Sequence, residues 1–198
     1  MTITYPFDLL DGFPGWSTDF SLLWRQEQSR QTNGRTIVKD MGSPLWQAAY
    51  QSRSLSPNEL DRWRARLAAM ENGLKTFIGR NMARCRPINH PGSAVLPTGT
   101  LSSIAADRKS IVVGSLPGIT LRPGDMLQIG EKDLHQAVDV SGFSIEVRPH
   151  LWPGVAAGAT VTIDKPACIM AIVPGSVSST ADMATGRGTV SFQAIEAR

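Results

Sequence analysis

The chain has 198 residues, of which 41% are hydrophobic and 19% charged, and its net charge is +3. This length and composition allow one globular domain or two small ones. No apolar run reaches the roughly 18 residues of a membrane-spanning helix, and the first ten residues lack the basic start of a signal peptide, so we expect synthesis in a cytoplasm and no membrane contact.

The first half of the chain begins with extended segments. Residues 1–19 contain prolines, glycines and aromatic residues with little periodicity, which predicts an extended N-terminal segment held in place by its aromatic residues. Residues 20–28 alternate and lead through a Thr-Asn-Gly turn to residues 35–41, which predicts a hairpin over 20–40. After a Gly-Ser-Pro break, residues 45–51 predict a further strand.

A capped helix follows these strands. Ser56 is the predicted N-cap, Pro57 occupies the first helical position, and Glu59 completes a capping box. Asn72 and Gly73 are expected to end the helix. Apolar residues recur at three- and four-residue steps, from which Arg62 and Arg66 fall away, so the helix is predicted to cover a sheet with one stripe. The stripe consists of Leu60, Trp63, Leu67 and Met70.

The second half of the chain predicts a small β-barrel. A short strand is expected at residues 74–78, and a proline-rich segment at 86–100 marks an internal boundary. Short apolar runs then alternate with turns such as Pro123-Gly124-Asp125, a pattern typical of a closed or nearly closed barrel of the SH3 or OB type. The predicted barrel strands are 111–113, 119–121, 126–129, 134–140, 143–147 and 160–163.

Two later strands complete the predicted fold. Residues 167–173 form an apolar run, and residues 189–196 alternate and are expected to return to the first sheet. The predicted fold class is therefore mainly β with one helix (α+β). A sheet-plus-helix domain would comprise residues 1–92 with 167–198, and a barrel domain residues 93–166.

Residues with catalytic or metal-binding chemistry do not form a recognisable pattern. His90, His135 and His150 are isolated from one another, and His135 is expected to be an exposed or half-buried strand residue. Asp125 is expected to cap backbone amides in its turn. Cys85 and Cys168 are predicted to be buried thiols. We therefore predict no enzyme activity, no metal and no cofactor.

Aromatic and basic residues provide the candidate interaction sites. Trp63 is expected in the core, whereas Trp24 and Trp46 could be core residues or intersubunit anchors. Arginine clusters without neighbouring aromatic residues favour a charged intersubunit face over a nucleic-acid platform, although phosphate binding stays open, and no sequence-specific nucleic-acid binding is expected. The candidate subunit-interface residues are Trp24, Arg25, Arg35, Trp46, Arg80 and Arg84.

Several segments carry a family resemblance. The hairpin FSLLWRQEQSRQTNGRTIVKD, the strand and helix SPLWQAAYQSRSLSPNELDRWRARLAAMENGLKTFIGR and the terminal MATGRGTVSFQAIEAR resemble the distal tail proteins of long-tailed bacteriophages and prophages. The segment LRPGDMLQIG and the run FSIEVRPHLWPGVAAGATVTIDKPACIMAIV are similar to segments of phage tail-tip proteins. The resemblance covers most of the chain and lies in patterning.

The resemblance implies a structural role in the virion. Such proteins form a ring, generally a hexamer, at the distal end of the tail, where the ring links the tail tube protein to the hub or tape-measure protein. A belt domain makes the ring, and a peripheral barrel projects from it; here these would be residues 1–92 with 167–198 and residues 93–166. The alternative hypothesis is a carbohydrate-binding barrel module, or an accessory domain of a cell-wall-acting protein, in which Trp152 stacks on a sugar ring.

Overall fold

Fourteen β-strands and one α-helix form within residues 3–198, the part of the chain that the computed structural model describes. The predicted fold class, mainly β with one helix and a small barrel, is confirmed. The elements are β1 Gly15–Leu23, β2 Gln26–Arg30, β3 Thr36–Asp40, β4 Leu45–Ser52, α1 Pro57–Ala68, β5 Thr76–Gly79, β6 Gly99–Ile104, β7 Ser110–Gly114, β8 Met126–Ile129, β9 Asp133–Ser141, β10 Ser144–Arg148, β11 Thr160–Thr162, β12 Cys168–Ile172, β13 Ser178–Ala181 and β14 Gly188–Glu196.

The main sheet joins strands from both ends of the chain. Its order is β1-β4-β14-β12-β5, and β13 pairs with one end of β14. The C-terminal strand therefore returns to the first sheet, as predicted. In this antiparallel register Phe192 lies opposite Tyr50, and the two buried rings pack 5.2 Å apart between centroids. A strand late in the sequence thus completes the core that the first half begins.

Helix α1 covers the inner face of this sheet. The Ser56 backbone N–H and hydroxyl both donate to Glu59 Oε2 at 2.9 Å, which confirms the capping box. The predicted stripe of Leu60, Trp63, Leu67 and Met70 is buried in the sheet core. The helix ends at Ala68, earlier than expected, because a 3-10 turn at Glu71–Gly73 follows with Asn72 in a left-handed conformation.

Arg66 lies off the apolar stripe of the helix, as predicted, and contacts the N-terminal segment. Its guanidinium donates to the backbone carbonyls of Asp8 and Asp11, both at 3.0 Å, and its Cζ lies 4.5 Å from the centroid of the Trp63 ring. Arg66 therefore lies off the buried stripe, yet it packs against other parts of the chain. The N-terminal segment lies against the helix, and its carbonyls are the acceptors that the sequence pattern could not locate.

The barrel is closed and contains six strands in the order β10-β7-β6-β11-β8-β9. Five of the six predicted strands are confirmed, whereas residues 119–121 form a loop whose Leu121 packs into the barrel core. Strand β6 was missed, because Ser102 and Ser103 interrupt the apolar alternation at a register shift between Leu101 and Ser103. All barrel strands lie within the proposed 93–166 domain, whose independence stays a prediction.

The N-terminal hairpin divides into two parts. Residues 15–23 were expected to form the end of the extended N-terminal segment and the start of the hairpin. They form β1 instead and pair with β4 along its length. Only β2 and β3 pair as a separate two-stranded hairpin. The reason is that Phe20 and Leu22 lie opposite Ala48 and Trp46 on the buried side of the sheet. The apolar contacts end there, and the chain continues outward.

Candidate assembly surface

The segment 24–41, which we call the arm, projects from the end of the β1–β4 pair. All ten residues of β2 and β3 are exposed, so neither face of this hairpin packs against the described part of the chain. Its turn is held by the Gln31 N–H donating to the Arg35 carbonyl at 2.9 Å, and Gly34 adopts a positive φ of 83°. An isolated two-stranded hairpin is at best marginally stable in water. The arm therefore lacks a packing partner among residues 3–198.

Apolar side chains are exposed along the arm. Trp24 is 52% exposed and Val38 is 57% exposed, and Ile37 and Met41 are exposed as well. Because successive strand residues point to opposite faces, Ile37 and Val38 place one apolar side chain on each face of the hairpin. Clustered exposed apolar residues typically mark a contact surface.

Most of the charged residues of the arm are basic. It contains four basic residues and two acidic ones, Glu27 and Asp40. The basic residues are Arg25, Arg30, Arg35 and Lys39. Arginine together with tryptophan is enriched at the energetically dominant positions of protein interfaces. The composition of the arm fits a protein partner with polar and acidic groups.

Strand β1 provides a second unpartnered feature. It pairs with β4 on one side, and no strand of the described chain pairs with its other side. The opposite edge of the sheet, β5, is covered because Phe7 donates to the Thr76 carbonyl at 3.1 Å and accepts from the Ile78 N–H at 2.9 Å. An open, nine-residue edge strand is a template for pairing with another chain. The arm continues directly from this edge.

The structure brings together three of the six candidate interface residues. Trp24, Arg25 and Arg35 all lie on the exposed arm. The exposed Ile37, Val38 and the free edge of β1 were not singled out from the sequence. The adjacent pair Ile37-Val38 was the available signal, because a strand with one buried face would not place apolar residues on both faces.

Trp46 belongs to the core of its own chain. Its side chain is 2% exposed, its Nε1–H donates to the Leu134 carbonyl at 2.7 Å, and its ring packs 5.1 Å from that of Phe20. The inward register of β4 places Trp46 beside Ala48 and Tyr50 on the buried face. The assignment of Trp46 as a candidate interface residue is therefore wrong.

Arg80 and Arg84 lie outside the arm. Arg80 Nη2 lies 2.5 Å from Asp8 Oδ1, and its side chain is mostly buried, so this arginine ties the N-terminal segment to the sheet. The Tyr50 hydroxyl donates to the Arg80 carbonyl at 2.8 Å. Arg84 is exposed in the turn that follows. Of this pair, only Arg84 has a side chain open to a partner.

The histidines occupy three separate environments. His90 Nε2 accepts from the Thr120 N–H at 3.0 Å, and His150 Nε2 lies 2.7 Å from the Ser43 hydroxyl. His135 is fully buried, so its expected exposure on the strand is wrong; its Nδ1 lies 2.9 Å from the Pro149 carbonyl. Within residues 3–198, no three His, Cys, Asp or Glu side chains converge in a way that could hold a metal ion.

Other predicted side-chain roles can be located. Asp125 accepts from the Ile88 N–H at 2.7 Å and the Arg122 N–H at 2.8 Å, which confirms its capping role. Cys168 is buried, and burial raises the pKa of its thiol, whereas Cys85 is half-buried. The Arg198 guanidinium lies 3.9 Å from the centroid of the Trp152 ring. That ring face is therefore already covered by the chain itself.

Comparison with known proteins gives no assignment. No protein-family model matches the chain, and no curated protein is significantly similar to it. Among residues 3–198, no helix has the length and apolar character needed to cross a membrane.

Proposed function

We propose that this chain is a structural virion protein that forms a ring at the distal end of a phage tail. In this role the ring connects the tail tube to the hub or tape-measure protein and the host-recognition apparatus. The sheet-and-helix half of the chain makes the ring, and the barrel lies at its periphery. The resemblance of the sequence to distal tail proteins supports this assignment, and six copies are expected on the same basis.

The observation that carries the proposal is the arm. A hairpin with apolar residues on both faces has no partner in the described part of its chain, yet it extends from a sheet whose β1 edge is also open there. In a ring of identical subunits, head-to-tail contacts repeat around the circle, so one surface of each copy contacts a different surface of the next. An arm at one end of the sheet suits such a contact, because each arm can bind the adjacent subunit.

Site-directed changes on the arm test this proposal. We expect the wild-type protein to sediment as an oligomer and to form rings in electron micrographs, alone or mixed with its tail-tube and hub partners. Trp24→Asp should shift the protein to the monomer, because it replaces an exposed apolar side chain of the proposed contact with a charge.

A matched control distinguishes assembly from general solubility. Val95 is 95% exposed and lies outside the arm, so Val95→Asp should leave the oligomer unchanged. A wild-type protein that stays monomeric at micromolar concentration, both alone and with the tail partners, would contradict the ring. It would favour the alternative of a carbohydrate-binding barrel module or an accessory domain of a cell-wall-acting protein.

A further inference from the structure

A polar cluster lies where the barrel meets the main sheet, and we call it the junction. Its residues come from β4 and the segment just before it, from both ends of the β9–β10 region and from residues 196–198. Barrel residues Met126 and Leu134 pack into the core of the main sheet, whereas the remaining buried barrel residues form a core of their own. The junction consists of Ser43, Trp46, Asp133, His135, His150, Trp152, Glu196 and Arg198.

Arg198 is the central cation of the junction. Its Nη1 donates to Asp133 Oδ1 on the barrel at 2.7 Å. Its Nη2 lies 2.6 Å from Glu196 Oε1 on the sheet; this second contact is an ion pair without the alignment of a hydrogen bond. Glu196 Oε2 accepts from the Trp46 N–H at 3.0 Å. These contacts connect the barrel to the middle of the sheet through one guanidinium.

His135 is enclosed beside this cation. Its Nδ1 lies 2.9 Å from the Pro149 carbonyl, which can only accept, so Nδ1 carries the hydrogen and Nε2 is the basic nitrogen. Nε2 is buried and has no hydrogen-bond partner among the described residues. A proton added to His135 would therefore place an unsatisfied N–H and a positive charge inside the junction.

The surrounding charges do not offset that cost. Burial of the ring is the largest effect and opposes protonation; the hydrogen bond to the Pro149 carbonyl and the charge of Asp133 favour the protonated ring, whereas Arg198 and His150 oppose it. Together they lower the pKa of His135 to about 4. An opened junction would return this residue to an ordinary pKa near 6.5. As the pH falls from about 6.5 to about 4, the open form takes up the proton first, so the closed form loses stability over that interval.

Glu196 acts in the opposite direction. Burial raises the pKa of its carboxyl above the ordinary value, so the closed junction binds this proton more readily than the open one and gains stability as the pH falls through that range. This gain is complete once the pH has fallen below the ordinary glutamate pKa near 4.3. Of these two groups, only His135 makes the closed form less stable as the pH falls.

We infer that mild acid opens the junction at His135, so that the barrel is released from the sheet while each part keeps its own core. The separate barrel and sheet cores make such partial opening possible, since proteins open in contiguous cooperative units. This device does not depend on ring formation. In a ring it would allow the barrel to change its orientation without dissociation of the subunits.

Hydrogen exchange on the full-length protein tests the inference. After correction for intrinsic rates, exchange of the Trp46 indole N–H, which donates to the Leu134 carbonyl across the junction, should rise roughly 20-fold between pH 7 and pH 5, the factor that His135 alone gives with pKa values of about 6.5 and about 4 in the open and closed forms. Amides of β6 and β7 inside the barrel should stay protected. Trp46 and Trp152 provide a parallel fluorescence signal from the junction itself.

His135→Gln provides the matched variant, because its amide can donate to the Pro149 carbonyl but cannot take up a proton. It should abolish the pH-dependent rise, whereas His90→Gln, which changes a histidine outside the junction, should retain it. Equal rises in the wild type and His135→Gln, or loss of β6 and β7 protection together with the junction, would overturn the inference. Should His135→Gln fail to fold, exchange at the Cε1 hydrogen of His135 in the wild type gives the pKa of this residue. A value above about 6 would also overturn the inference.

Discussion

Single side chains in this protein tie distant segments together. Arg66 binds two carbonyls of the N-terminal segment, Arg80 pairs with Asp8, and Arg198 connects the barrel to the last strand. Arginine suits these positions because its planar guanidinium donates in several directions at once and stays charged when partly buried. The basic residues thus stabilise the monomer as well as forming the exposed charge of the arm.

Arg198→Met tests the role of the central cation. Glu196 is 5% exposed, and this change leaves its carboxylate buried without the opposing charge. We expect a loss of about 2 kcal/mol in the free energy of unfolding at pH 7, below the roughly 3–5 kcal/mol of a fully buried pair because Arg198 is partly accessible to water. Urea denaturation measures the loss.

The double variant Glu196→Gln/Arg198→Met serves as the control. It removes the unpaired Glu196 carboxylate and should recover part of the lost free energy of unfolding, since a neutral amide costs less to bury than a carboxylate. If Arg198→Met costs no more than Arg84→Met, a change at an exposed arginine, the ion pair does not hold the junction.

At the scale of elements, helix α1 combines two functions. Its apolar stripe covers the sheet, and its Arg66 side holds the N-terminal segment, which in turn covers the edge of β5 through Phe7. The helix therefore contributes indirectly to closing one sheet edge. The β1 edge has no such cover within the described chain, and this asymmetry leaves one side of the sheet available for pairing.

Three truncations on α1 separate these contributions. Leu67→Ala should cost about 2–5 kcal/mol as a buried truncation. Arg66→Ala should cost about 1–2 kcal/mol, because it removes charged donors from two carbonyls at a partly exposed site. Arg62→Ala should stay within about 0.5 kcal/mol, as expected for an exposed residue. Denaturant titration that gave Arg66→Ala and Arg62→Ala the same small effect would contradict the role of Arg66.

At the scale of the whole molecule, local signals predicted more than long-range ones. The capping box and stripe of α1 depend on neighbouring residues, so the helix could be read from the sequence. The burial of Trp46 and His135 depends on partners many residues away, namely Glu196 and the loop of Pro149, and no local pattern contains those. The exposure of the arm had one local signal, the adjacent apolar pair Ile37-Val38, which does not fit a strand with a single buried face.

The separation of the arm from its own core leads to the last prediction. Because β2 and β3 pack against nothing else in the described chain, replacing residues 26–40 with an Asn-Gly turn should leave the monomer folded, with a thermal midpoint close to that of the wild type. The same deletion should abolish the ring, because it removes the apolar and basic surface that the proposed contact requires. Analytical ultracentrifugation with circular dichroism on the same samples measures both quantities. A shortened protein that still assembles would place the subunit contact elsewhere, with the open edge of β1 as the remaining candidate, whereas loss of the folded monomer would show that the arm has an intramolecular role.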